Sequence, residues 1–328
     1  MDHFVFRRFS FSILPVTELC LPSYKGSMLR GGFGRAFRRS VCISRNKVCT
    51  DCLISQTCAF YWIFETPVPD DSNIMRKYPT APHPFILEPP LTRRRIFQKG
   101  DALDFSLTLV GRAVDYLPYF IYAFEELGRL GIGRDRGKFS LQSVTVASLA
   151  DADHKAPLSI YDGKDKTFRP PDRLNCWTEL LAKPPPSRLH LRFLTPARIK
   201  YNSHFTKDLE FHILFRSLLR RISLLSYFHC GYKIDDNGFR ELIDLAKQVR
   251  IVKKVLYWKD WQRWSNRQKT KMKMGGVMGE VTYEGDVEPF WPWIRLGEYV
   301  HVGKGSSFGL GRYEVVNGLK EDFKNENQ

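Results

Sequence analysis

Four cysteines, Cys42, Cys49, Cys52 and Cys58, fall within seventeen residues in the spacing C-x6-C-x2-C-x5-C. Thiolates this close usually hold a tetrahedral metal, because a Cys-x-x-Cys pair lets two sulfurs reach one ion. Zinc is the first reading, an iron–sulfur cluster the second, and free thiols or a redox pair the third. Four thiolates leave no open coordination position, so the expected role is structural and catalysis needs no metal from this site. Of the eight histidines, His229 ends a helix-like run just before Gly231, and His301 immediately precedes a glycine-rich loop. An imidazole beside a phosphate-binding loop is a candidate general acid–base group; a structural role is the competing reading for each. No Ser-His-Asp order, HExxH motif or hydrolase-type carboxylate pair is present.

That loop, Gly303-Lys304-Gly305-Ser306-Ser307-Phe308-Gly309-Leu310-Gly311-Arg312, alternates glycine with basic and aromatic residues. Glycine permits positive φ and close backbone approach, so Gly303, Lys304, Gly305, Gly309 and Gly311 are candidate phosphate contacts. Gly128 to Phe139 repeats the pattern and adds Arg134 and Arg136. Two such units suggest an internal duplication. Neither is a Walker loop or a dinucleotide fingerprint, and each could be a plain tight connection. From Lys253 to Lys273 eight Lys or Arg face a single acid, Asp260, with Tyr257, Trp258, Trp261 and Trp264 interleaved. Cations that neutralise phosphates beside rings that stack on bases suit single-stranded RNA, which makes Arg263, Arg267, Lys269, Lys271 and Lys273 candidate contacts. The bland alternative is a solvated basic face over core tryptophans. Arg30, Arg35 and Arg38 on an Arg-rich segment are further candidates.

The elements that would position these groups follow from periodicity. Residues 9–14 alternate as a strand, 24–41 read as a helix interrupted by glycines, 85–87 and 103–109 read as strands, 116–127 as a helix and 139–146 as a strand. Strand, helix, strand, strand, helix, strand is the ferredoxin-like order. Something must approach the glycine-rich face of that first helix, either another backbone or a ligand. The second half repeats the scheme: a strand at 189–193, a helix over 209–228, a further helix over 239–257, a strand at 277–283, a helix at 290–299 and a terminal strand. The expected fold class is α+β with two tandem ferredoxin-like (RAMP/RRM-like) domains. These are an N-terminal domain at 1–149 with a Cys-rich metal-binding insertion near 42–62, a polar linker at 150–187, and a C-terminal domain at 188–328.

Hydrophobic residues at 43% with 14% aromatics exclude a disordered chain, and 328 residues suffice for two cores. A formal charge of +16 points to a polyanionic partner, nucleic acid before an anionic membrane surface. No apolar run approaches about 18 residues, and the N-terminus lacks the pattern of a signal peptide, so a cytoplasmic location is expected.

Taken together, the tandem halves, the Gly303–Gly311 loop, the Gly26-Ser27-Met28-Leu29-Arg30-Gly31-Gly32-Phe33-Gly34-Arg35 segment, the Thr195–Lys200 run, Leu218–Ser223 and Arg263-Trp264-Ser265-Asn266-Arg267-Gln268 resemble the RAMP superfamily of CRISPR-associated proteins. Within it the chain is most similar to endoribonucleases that cut precursor CRISPR RNA inside its repeats. The resemblance spans nearly the whole chain. It implies CRISPR repeat RNA as partner, other CRISPR effector subunits as further partners, and metal-independent cleavage in which a 2′-hydroxyl attacks the adjacent phosphate. Many members carry a catalytic His on or near the first helix, whereas here no His occurs between His3 and His83. Tyr24 and Lys25 hold the matching neighbourhood, and the imidazole would come from His301 or His229. The alternatives are a non-catalytic RAMP subunit that holds guide RNA and, from charge and thiols alone, a zinc-dependent DNA-binding regulator.

Overall fold

The computed structural model describes residues 3–44, 48–146, 157–170, 180–181, 184–234, 237–265 and 270–316. The first half runs β1 (Phe6–Pro15), β2 (Leu19–Cys20), α1 (Gly26–Val41), β3 (Phe85–Glu88), β4 (Ile96–Phe97), β5 (Leu103–Val110), α2 (Leu117–Leu130) and β6 (Phe139–Val146). Two more strands, β7 (Leu158–Asp162) and β8 (Thr167–Phe168), arise within the segment expected as a linker. They extend one antiparallel sheet of order β3-β5-β1-β6-β7-β8. Alternation on β1 buries Phe9, Phe11 and Ile13 on the helix-covered face. The apolar stripe Leu29, Phe33, Ala36 and Phe37 of α1 packs there too, with the Phe33 ring 4.9 Å from Phe120 and 5.4 Å from Phe124. Fully burying each such side chain stabilises by about 1.5–3 kcal/mol.

The second half runs β9 (Arg188–Ala197), the small hairpin β10 (Lys200–Tyr201) and β11 (His204–Phe205), α3 (Phe211–Cys230), α4 (Asn237–Ala246), β12 (Arg250–Lys259), the hairpin β13 (Gln262–Ser265) and β14 (Thr270–Lys273), β15 (Gly276–Glu284), α5 (Trp291–Val300) and β16 (Tyr313–Val315). Its antiparallel sheet has the order β12-β15-β9-β16. In both sheets the main strands thus stand second, third, first, fourth by their order along the chain. The helix expected over 239–257 is corrected: it stops at Ala246, and the Ile251, Val252, Val255, Tyr257, Trp258 run pairs with β15 from Arg250↔Glu284 to Lys259↔Gly276. β-Branched and aromatic residues on an open sheet edge outweigh the helix period there. Among the described residues no helix is long and apolar enough to cross a membrane.

The two halves meet across backbone contacts that only glycine permits. A Cβ at Gly26 would collide with the Phe308 carbonyl, and one at Gly111, where φ is 58°, with the His229 carbonyl. Tyr24 Oη donates to the Phe308 carbonyl at 2.6 Å across the junction, while within the second half Thr195 Oγ1 donates to the Gly309 carbonyl at 2.7 Å and holds the loop in place. Beside them Glu88 is 2% exposed and receives Arg8 at 2.7 Å, with Arg312 at 3.5 Å and His301 Nε2 at 3.8 Å. Burial alone would raise this carboxyl, but His301, Arg8 and Arg312 hold it down to about 2. His229 lies 5% exposed, its Nε2 donating to the Pro82 carbonyl at 2.6 Å. Burial pushes its pKa down to about 4.

Two predictions follow from this junction. Gly26→Ala should destabilise by about 1–3 kcal/mol through overpacking, whereas Gly31→Ala, whose Cβ meets nothing within 4 Å, should stabilise by up to about 1 kcal/mol. Denaturant midpoints of the two variants test this; equal shifts would contradict it. The second concerns pH. Folded, His229 stays neutral down to about pH 4, while the unfolded chain binds its proton near 6.5. The stability this confers is present above 6.5 and is lost as pH falls toward 4; Glu88, depressed from 4.5, adds a second loss between 4.5 and about 2. His229 alone should remove about 2 kcal/mol between about pH 7.5 and about pH 5. Denaturation at both pH values should show a smaller drop for His229→Gln than for the wild type.

Candidate nucleic-acid cleft

A cleft of about 1010 Å³ opens between the halves. Tyr24, Ser27, Gly31 and Arg35 recur at three- to four-residue spacing on one face of α1 and its approach, and all line it. The question posed by the glycines of this helix therefore has several answers. Gly26 meets the Phe308 backbone, Gly32 the Leu127 side chain and Gly34 the Phe64 ring, while Gly31 opens into the cleft. Arg93 and the first glycine loop, through Gly131, Gly133 and Arg136, complete the wall on this side. From the second half come Thr195, Tyr257, Lys259, Trp261, Gln262 and Arg263.

Among the described residues, five cations, Arg35, Arg93, Arg136, Lys259 and Arg263, thus share a lining in which no Asp, Glu or His takes part. Low-dielectric walls of one charge sign concentrate the field and draw in polyanions. Trp261 meets Tyr24 with ring centroids 4.9 Å apart, and Tyr257 is 55% exposed on the outer strand. Trp258, by contrast, is half-buried against the second core, its Nε1 donating to Asp260 at 2.8 Å. A second group of cations continues the path. Burial and the nearby Lys200, Arg198 and Arg220 push the Lys304 ammonium down, and Arg198 in turn lies within electrostatic reach of Arg263.

The expected site residues divide sharply. Arg35, Arg136 and Arg263 line the cleft, and Arg134 stands exposed on the same loop. Lys271 and Lys273 are exposed on β14, and Lys304 is exposed beside the second cation group. Arg30 is instead held within the protein, its guanidinium 4.5 Å from both the Phe64 and Phe308 rings and its Nε donating to Ser307 Oγ at 3.0 Å. Arg38 lies over Phe60 in the last turn of α1, toward the cysteines. Arg267 and Lys269 lie outside the described residues.

The catalytic expectations need correction. His301 is fully buried, with Nδ1 donating to the Leu310 carbonyl at 3.2 Å, and His229 is buried against Pro82. Lys25 is fully buried and donates to the Thr92 carbonyl at 2.9 Å. None of these three lines the cleft. Tyr24 does line it, but burial raises its pKa and its hydroxyl is committed to the Phe308 carbonyl.

The loop from Gly303 to Gly311 is also reassigned. Gly303, Gly305, Gly309 and Gly311 have φ between 72° and 85°, as their types suggest. Yet the amides of Lys304, Phe308, Gly309, Leu310 and Gly311 bond to protein carbonyls, and the loop packs against α1 and β3. It staples the halves rather than cradling the cleft. The basic run Arg93-Arg94-Arg95 and Lys259 within the basic–aromatic stretch were the available signals for lining residues that sequence reasoning missed.

Comparison with known proteins agrees with this architecture. Residues 4–173, more than half the chain, match the AF_1859_N N-terminal domain family, and residues 191–313 match the CRISPR-associated endoribonuclease Cas6. An Archaeoglobus fulgidus protein described as uncharacterized is 23% identical over 301 residues, covering 90% of this chain and 92% of its own. A Thermus thermophilus Cas6 is similar in fold, with a TM-score of 0.56 as a product complex and 0.54 in a second structure. In both cases identity is 16%, covering 95% of this chain and 99% of the other. By family, the chain belongs to the proteins that share the AF_1859_N N-terminal domain, and its second half matches the CRISPR-associated endoribonuclease Cas6.

Proposed function

We propose that this chain binds the repeat RNA of CRISPR transcripts across the cleft and cuts the precursor there without a metal at the reacting phosphate. The halves are read as tandem ferredoxin-like units, expected at 1–149 and 188–328, the first extended by β7 and β8. The observation that carries the proposal is the cleft lining: among the described residues it has five cations and the rings of Tyr24, Tyr257 and Trp261, with no acid to repel a phosphate backbone. The family match and a relative solved as a product complex support an RNA-cleaving reading.

In the proposed step O2′ attacks the neighbouring phosphorus, the P–O5′ bond breaks, and a 2′,3′-cyclic phosphate remains. Arg35 from α1 and Lys259 from the facing strand offset the charge that develops on the phosphorane. The O2′ proton passes to solvent, and the Lys259 ammonium is the candidate donor to O5′. With no imidazole among the described residues that line the cleft, the reaction as drawn forgoes the roughly 10²–10⁴-fold gain of a positioned acid–base pair and should be slow. That same lack favours a second reading, a RAMP subunit that holds guide RNA without cutting it.

Purified protein incubated with repeat RNA and a chelator should yield cyclic-phosphate ends, and RNA with 2′-deoxy at the cut position should bind uncut. Arg35→Ala should slow cutting about 10²-fold or more while weakening binding less. No cutting by the wild type under any of these conditions, with tight binding retained, would support the guide-holding reading instead. Affinity should fall with salt by a log–log slope of roughly 0.7 per neutralised phosphate, and Lys271→Ala with Lys273→Ala should reduce that slope by roughly 1.4. Salt-insensitive binding would contradict the electrostatic footprint.

A further inference from the structure

The segment from Cys42 to Cys58 is not explained by RNA binding. It follows the last turn of α1 and consists of two single-turn 3-10 helices, Cys49–Asp51 and Ser55–Thr57. Not one of its described residues is buried, and its apolar side chains point outward: Leu53 is 95% exposed, Ile43 76% and Val48 65%. Ordering backbone costs about 1–2 kcal/mol per residue, which apolar burial normally offsets. Here that burial is missing, and small segments in this position need a disulfide or a metal to hold them.

The four cysteines face a common cavity. Cys42, Cys49, Cys52 and Cys58 all line a single cavity of about 10 Å³, together with Ile54, Phe60 and Tyr61. A cavity of that size is about the room of one water, and an ion of zinc size is smaller. Two turns present the sulfurs: Cys52 N–H donates to the Cys49 carbonyl at 3.3 Å, and Cys58 N–H to the Ser55 carbonyl at 3.3 Å. All four thiols are free. Among the described residues no three ligating side chains already stand close enough to hold an ion, so binding requires the two turns to close onto the cavity. Arg38 in the last turn of α1 lies within electrostatic reach of Cys49 and supplies positive charge to a four-thiolate centre, which carries a net negative charge with a divalent ion.

We propose that these four cysteines bind one structural zinc ion that locks the segment onto the C-terminal end of α1. Tetrahedral sulfur coordination replaces the missing core, and ion binding supplies folding free energy to the segment. Because the opposite end of α1 lines the cleft, the site anchors that helix from the side remote from the RNA. The inference does not rest on RNA cleavage, and metal content can be measured without it.

Protein expressed in zinc-supplemented medium and purified without chelator should carry about one zinc per chain by elemental analysis. Cys49→Ser and Cys52→Ser should each cut that content more than about tenfold, whereas Cys20→Ser, outside the cluster, should leave it unchanged. Should the variants fail to fold, titrating wild-type protein with an organomercurial in the presence of a zinc dye should release one zinc as the cluster's thiols react. Folded wild-type protein without zinc would overturn the proposal. So would iron with acid-labile sulfide, or a Cys49–Cys52 disulfide recovered by peptide mapping.

Discussion

Glu88 carries a negative charge where water is excluded, and its partners come from both halves of the chain: Arg8 from the same sheet, His301 and Arg312 from the other half. An unpaired buried carboxylate costs several kcal/mol, so any docking of the halves that parted Glu88 from these groups would be strongly disfavoured. Buried pairs of this kind add little net stability compared with apolar packing. What they confer here is one relative placement of two sheets that could otherwise slide. Glycines then let the backbones close around it, since Gly26 and Gly111 each take a neighbouring carbonyl where any Cβ would stand.

The cleft is a product of that docking. The α1 helix presents one face to the aromatic core and another to the gap, and β12 with its following hairpin supplies the opposite wall. Neither wall is a site alone, because the cations that would surround a phosphate are divided between them. Arg35, Arg93 and Arg136 stand on one side, Lys259 and Arg263 on the other. Like charges held this close repel one another, and a polyanion relieves that repulsion. The glycine loop that stands out in the sequence works behind the cleft: it keeps the walls at a fixed distance through Phe308, whose ring lies 4.5 Å from both Arg30 and Arg263.

Most elements could be read from periodicity, because each half has a clean inside and outside. β1, β5 and β6 alternate, and α1, α2 and α3 carry apolar stripes, so their positions emerged within a few residues. The failure at 239–257 arose where a helix and an edge strand lie close in sequence and the strand has little burial to reveal its period. β7 and β8 are too short to show a period: β7 buries only Ile160 and Tyr161, and β8 is an exposed pair of residues.

The sequence by itself determined the charge, the helices and strands of each half, the cysteine cluster and the resemblance to a family of RNA-cutting proteins. Those follow from residue types and from spacings of two to eight positions. Tertiary structure decided which of the conspicuous residues face the cleft. His301, His229 and Lys25 were plausible catalytic groups along the chain, yet each is buried by residues distant in sequence. Burial and access depend on contacts such as Gly111 with His229 and Gly26 with Phe308, which join positions more than a hundred residues apart and leave no local pattern. A motif can announce that backbone must pass closely at a point, but whether the visitor is a phosphate or another strand of the same protein is settled by how the two halves pack.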